Sequence, residues 1–290
     1  MISARMQHTI AGRAAVAGFS YWSGRDVRVE FRPAAVGSGI TFVRADLGPG
    51  ARIPALADLR IDVPRRTNLR QGSVEVQMVE HALAALVGLG IDNCEVWTDQ
   101  PEMPGCDGSA APFVDALLRA GIVKQTVEAR RLEVTQTIRV TDGDSWIEAR
   151  ESTAGLLYIE YQLDYPRHGA IGKQVARTVV TRERFRSDLA PCRTFVLRSE
   201  ADELVRQGLG ERVTPRDLLV FDDAGPIDNH LRFPNECARH KALDVLGDLA
   251  LTGCRVIGDI IACRSGHRLH AELARQMVER FAPAQLRAIA

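Results

Sequence analysis

The chain has 290 residues, with 37 Lys plus Arg against 37 Asp plus Glu, so no bulk positive field draws it to DNA or RNA. Apolar residues at 46% and charged residues at 26% exclude a mainly disordered or collagenous chain and predict one large domain or two of ordinary size. Residues 1–13 carry Arg5, Gln7, His8 and Arg13 without the apolar run of a secretory leader, and the longest mostly apolar stretch, 82–91, is about half the ~20 residues needed to cross a bilayer. A soluble, cytoplasmic protein is expected. Six cysteines without a Cys-x-x-Cys pair are too sparse for a disulfide scaffold and read as reduced thiols.

In chain order, Val27, Val29 and Phe31 alternate as a strand over 26–31, and a second strand at 40–43 follows a Gly-Ser-Gly turn. From Gln77, the positions Val79, Leu83, Leu86 and Val87 recur at helical spacing and stop at Gly88 and Gly90. A strand at 94–97 and a helix at 113–120 follow, then strands at 132–140, 145–149 and 156–163. Residues 239–251 read as a helix ended by Gly253, and an apolar strand runs from 254 to 262. Stretches 48–67 and 208–235 read as loops or inserts.

A pattern repeats between the halves. Glu80 and His81 open a helix, a glycine closes it, and Cys94 opens a strand 13 residues after the histidine; Arg239 and His240 do the same, with Cys254 14 residues on. Helix, glycine and strand are common in any α/β protein, so the repeat is a weak signal taken alone. It predicts two domains of like architecture, 1–126 and 127–290, each presenting a histidine from an equivalent helix.

Chemistry concentrates at 239–248. His240, Asp244 and Asp248 lie at i, i+4 and i+8 and share one helix face, while Ala242, Val245, Leu246 and Leu249 supply apolar surface elsewhere. Ionised groups on a largely buried helix need partners or a metal. A His-x-x-x-Asp pair alone is more often a salt bridge than a ligand set. Combined with His81 it supplies the three protein ligands of a catalytic zinc. Glu80 could then take a proton from the activated water, and His267, in a turn after the apolar strand, could protonate a leaving nitrogen. Cys237, three residues before His240, offers a rival thiolate ligand.

The stretch 78–93, the run Asp107, Gly108, Ser109, Ala110, the triplet Arg193, Thr194, Phe195, the stretch 239–248 and the triplet Ser265, Gly266, His267 occur in that order. Together they closely resemble the UDP-3-O-acyl-N-acetylglucosamine deacetylases, zinc amidases that commit bacteria to lipid A synthesis. The likeness runs from Gln7 to the last helix. It implies an α+β fold of two similar layered domains, each a sheet with helices, the helices packed together between two outer sheets. It also implies hydrolysis of the acetamide of an acylated UDP-sugar to free amine and acetate, by a monomer.

By this resemblance His81, His240 and Asp244 hold zinc, or iron under some growth conditions, and Glu80 is the general base. Thr194 stabilises the oxyanion, His267 is the general acid and Asp248 orients it. Lys241 contacts a substrate phosphate, and Phe195 contacts substrate beside an acyl passage. That passage is expected from an insert at about 198–226, with Leu204, Val205, Leu209, Leu218, Leu219, Val220 and Phe221 as lining or as a small core of their own.

Three segments depart from the family pattern. Residues 18–24 place Trp22 where a Gly-x-Gly-Leu-His-Ser-Gly segment has histidine; residues 210–217 replace a Gly-Gly-x-x-x-Asn-Ala type stretch; and Gly105 and Cys106 stand where bulkier apolar residues are common. These departures leave open a related zinc amidase acting on another N-acetylated sugar, or a non-catalytic relative that binds metal or ligand.

Overall fold

The structure, a computed structural model, describes residues 5–166 and 168–282; the first four residues of the stretch read for a leader, residue 167 and the last eight lie outside it. Two sheets dominate. The first, in spatial order, runs Ala14–Phe19, Asp26–Pro33, Cys94–Thr98, Ile40–Arg44 and Arg52–Pro54. The second runs Ile138–Asp142, Ser145–Arg150, Arg255–Cys263, Leu157–Tyr165 and Gly172–Val179, with the short Arg131–Glu133 beside Arg255–Cys263.

Both sheets have the same topology. In each, the last strand in sequence occupies the middle, antiparallel to the second and parallel to the third. In each, a helix immediately precedes that central strand and another follows it. The repeated helix, glycine and strand of the sequence is therefore the core of a duplicated unit. Between the two sheets' strands, Ile122–Glu128 pairs antiparallel with Met6–Ile10 near the start of the chain.

Among the described residues six α-helices accompany the strands: α1 (Glu80–Gly88), α2 (Ala111–Ala120), a single turn α3 (Arg182–Arg184), α4 (Arg198–Arg206), α5 (Glu236–Leu249) and α6 (His267–Phe281). The extended helical pattern from Gln77 is cut short at its start because Met78 takes φ of 58° and turns a corner, so the helix begins at Glu80. Helix α5 begins at Glu236, three residues before Arg239, and His267 is the first residue of α6, not a turn residue. The strand expected over 132–140 is two strands, and the two loop stretches carry the short strands Arg52–Pro54, Arg60–Ile61 and Leu219–Phe221. No helix among the described residues is long and apolar enough to cross a membrane.

Helices α1 and α5 pack on each other, α2 packs on α1 and on the first sheet, and α6 lies on α5 and the second sheet, which puts the helices between the sheets. Every residue of α1 except Val87 is buried, as are twelve in α5, so polar groups on either helix are stripped of water by packing from both sides. Their close approach depends on Gly247, where a Cβ would collide with the backbone carbonyl of Glu80. Gly247→Ala is expected to cost about 1–3 kcal/mol through overpacking and to push the start of α1 off α5. A fall in melting temperature together with weakened binding of added Zn²⁺ checks this; a melting temperature equal to wild type contradicts it.

Candidate metal and proton-transfer site

At the crossing of α1 and α5, His81, His240 and Asp244 present ligand atoms that all lie within 4.8 Å of one another. The imidazole rings of His81 and His240 sit 5.0 Å apart, nearly perpendicular. His81 Nε2 and His240 Nε2 are 3.8 and 3.4 Å from Asp244 Oδ1. The spacing read on one helix face thus converges with a histidine from the other half of the chain.

Burial, together with His240, pushes His81 down to about 3, and burial also lowers His240, so both imidazoles are neutral near pH 7 and have lone pairs free. Burial alone would raise Asp244, but the groups around it outweigh that cost, and near pH 7 the cationic ones, Lys241 and His267, keep this carboxylate ionised. His240 Nδ1 lies 3.1 Å from the Cys192 carbonyl, a contact that places its proton on Nδ1 and turns Nε2 toward Asp244. Asp244 Oδ2 accepts from Lys241 Nζ at 2.9 Å, whereas Asp244 Oδ1 is buried and has no hydrogen-bond partner among the described residues. An orphaned anionic oxygen facing two neutral imidazoles is a donor set that could hold a divalent cation.

A second group, Asp248, His267 and His270, is also close enough to ligate. Here the atoms satisfy one another. His267 Nδ1 and His270 Nδ1 each lie 2.8 Å from Asp248 Oδ2, Thr67 Oγ1 donates to Asp248 Oδ1 at 2.5 Å, and Ser265 Oγ is 2.9 Å from His270 Nε2. Cys237 is buried with its thiol pushed up to about 12, and among the described residues it joins neither group of converging ligand atoms.

Glu80 and His267 border the first group. Burial raises Glu80 to about 7, against a partial opposing pull from His267, and its Oε2 accepts from the Thr67 backbone N–H at 3.0 Å. Burial would lower His267, but Asp248, with Asp244 and Glu80, outweighs it and lifts the imidazole to about 9, so His267 is cationic near pH 7. With Nδ1 held by Asp248, His267 Nε2 faces Asp244 Oδ2 at 3.9 Å. One buried acid is thereby poised near neutrality beside a proton-carrying imidazole.

These groups open into a cavity of about 790 Å³ whose walls include Glu80, His81, Thr194, Phe195, His240, Lys241, Asp244 and His267. Thr194 is held by its N–H on the Gly108 carbonyl at 2.8 Å and by the buried pair of Arg193 with Glu236, Nε to Oε1 at 2.8 Å. Asp107 in turn accepts from Ser109 and pairs with Arg232, which explains why the run 107–110 belongs with Thr194. Phe195 opens the strand Phe195–Leu197 and lies edge-on to Tyr165 and Phe221. Lys241 is a cation held beside Asp244, since the cost of burial is outweighed by that carboxylate together with Tyr161 and Tyr165.

One end of the cavity is apolar, lined by Leu204, Val205, Leu209, Val213, Leu218 and Val220. Of the residues expected there, Leu219 and Phe221 do not line it. Alternation along Leu219–Phe221 turns them inward, where they are fully buried, and leaves Val220 facing the cavity. The other end is polar, with Asp164, Tyr165, His168 and Arg264.

Sequence reasoning missed Thr67 and His270, and it named Ser265 in a motif without giving it a role. His270 sits at i+3 from His267 on α6, a spacing that could have flagged it. Thr67 lies in an irregular stretch 13 residues before Glu80, and only the tertiary structure brings it to both Glu80 and Asp248.

Residues 7–279 match the family model described as UDP-3-O-acyl N-acetylglycosamine deacetylase. Among similar proteins, a UDP-3-O-acyl-N-acetylglucosamine deacetylase of Anaeromyxobacter sp. (strain Fw109-5) is 38% identical over 273 residues, 94% of this chain and 88% of the relative. Another of that name from Histophilus somni (strain 129Pt) is 36% identical over 277 residues, covering 94% and 90%. A bifunctional enzyme LpxC/FabZ of Chlorobaculum tepidum is 34% identical over 298 residues, covering 93% of this chain and 64% of that longer protein. With five ordered motifs folded into one buried centre, the chain belongs to the UDP-3-O-acyl N-acetylglycosamine deacetylase family.

Proposed function

We propose that the chain hydrolyses the acetamide of a UDP-linked, 3-O-acylated N-acetylglucosamine to the free amine and acetate, the committed step of lipid A synthesis. The observation that carries this reading is the ionised, unpartnered Asp244 oxygen between two neutral imidazoles, flanked by Glu80 and His267 in opposite protonation roles. His81, His240 and Asp244 fit Zn²⁺, with Fe²⁺ as the alternative ion for the same two-nitrogen, one-oxygen donor set. That ion supplies Lewis acidity toward water and the amide carbonyl.

The chain's own groups do the rest. Glu80 removes a proton from the attacking water at a carboxylate kept basic by burial and oriented by the Thr67 N–H. The Thr194 hydroxyl donates to the oxyanion as the carbonyl carbon becomes tetrahedral. His267 delivers its Nε2 proton to the amine nitrogen as the C–N bond breaks, and Asp248 holds the ring and supports the cation. Lys241 and the polar end with Arg264 suit the diphosphate, and the apolar end beside Phe195 suits an acyl chain, which favours an acylated substrate over a bare N-acetylated sugar. One chain supplies every group, in keeping with a monomer, and the six unpaired thiols suit the reducing cytoplasm.

The pH profile of kcat/KM is expected to be a bell, rising as Glu80 loses its proton near 7 and falling as His267 loses its own near 9. Glu80→Gln removes the acidic limb and lowers kcat/KM by roughly 10²–10⁴-fold. Full activity in that variant contradicts the base assignment.

Asp248→Asn is expected to move the basic limb to lower pH, because the imidazolium loses the carboxylate that raises it. A limb that stays in place means Asp248 only packs against the ring. Dialysis against a chelator should abolish turnover, and restoring it with Zn²⁺ and Fe²⁺ separately measures which ion serves better.

A further inference from the structure

The three segments that depart from the family pattern meet at one place in the fold. The Tyr21 hydroxyl donates to the carbonyls of Asp217 and Cys106. Gly210 N–H donates to the Trp22 carbonyl at 3.4 Å. Arg212 donates to the Gly24 carbonyl at 3.1 Å, pairs with Asp26 at 2.6 Å and lies over the Phe19 ring. Gly105 is glycine because the Tyr21 ring occupies the space a Cβ would take. Segments 18–24, 102–107 and 209–217 therefore form one mutually fitted wall.

That wall is part of the cavity lining, which includes Tyr21, Trp22, Leu209, Gly210 and Val213, and the contact of Gly210 with Trp22 sets Trp22 beside the apolar end. Trp22 is held on both sides. Its backbone N–H and that of Ser23 donate to the buried Glu102 carboxylate at 2.8 and 3.1 Å. The Arg66 guanidinium stacks on its ring at 4.4 Å, and Arg66 Nε and Nη1 are buried with no hydrogen-bond partner. A cation that gives up hydrogen bonds to sit on an indole, in the field of Glu102, Glu80 and Glu75, fixes the ring. The polar end draws on other elements, Leu157–Tyr165 and the loop after Arg255–Cys263.

We infer that Trp22 is a specificity-determining residue: its clamped indole sets how much acyl chain the apolar end of the cavity accepts. This rests on the reading that the cavity takes an acylated sugar. An immobilised ring can neither swing aside nor shrink, so each added methylene that meets it is refused by contact. A pocket wall of this kind separates substrates differing by a methylene by roughly 10–200-fold.

The test pairs binding with turnover. Binding of 3-O-acylated N-acetylglucosamines of graded chain length is measured by calorimetry, and deacetylation of the matching UDP-sugars by kcat/KM, for wild type, Trp22→Ala and Trp22→Phe. In Trp22→Ala the preference for longer over shorter chains is expected to rise at least about tenfold in both measurements, while Trp22→Phe stays near the wild-type profile. An equal loss at every chain length overturns the proposal and makes Trp22 a structural residue. Should Trp22→Ala not fold, Trp22→Leu removes the same breadth of ring and carries the same expectation. A length-dependent shift in binding without deacetylation by the wild type supports the role of Trp22 and overturns the proposed reaction instead.

Discussion

Everything at the centre of this protein follows from the depth at which α1 and α5 cross. Gly247 lets the backbone of Glu80 rest against α5, and at that separation His81 from one half of the chain reaches Asp244 and His240 from the other. The same contact excludes water from both helices. An ionised carboxylate in such a seam is unfavourable unless compensated, and among the described residues just one of its oxygens accepts a hydrogen bond, from Lys241. The other oxygen stays open to whatever cation the two imidazoles can share.

Two carboxylates a few residues from that seam show how surroundings assign opposite duties to like groups. Glu80 has burial as its dominant influence and a single backbone donor, so it holds its proton up to about neutral pH. Asp248 is equally buried, yet two imidazoles and the Thr67 hydroxyl surround it and keep it ionised. Thr67 touches both, through its backbone to one and its hydroxyl to the other. Glu80, Asp248 and His267 are thereby held in one hydrogen-bonded frame through Thr67.

The duplicated topology explains why such a frame arises at a junction. Each unit places a helix just before its central strand, and each such helix carries a histidine near its start or in its first turns. Packing the two units helix to helix brings those histidines together. The units then diverge in what they add: the second carries the segment with α4 and Leu219–Phe221 that makes the apolar end of the cavity, and the first contributes the turn with Tyr21 and Trp22 that closes against it.

Local pattern in the sequence was enough for the strands with alternating apolar residues, the amphipathic helices and the face shared by His240, Asp244 and Asp248, because each depends on spacing within one element. The ordered motifs were enough for the family. What a linear reading could not reach are relations between elements: the corner at Met78 that starts α1 late, the placement of Thr67 against two carboxylates, the inward turn of Leu219 and Phe221, and the meeting of three unusual segments at Trp22. Those were decided by the tertiary structure, since desolvation, ion pairing and steric fit depend on distance through space, and residues far apart along the chain set them.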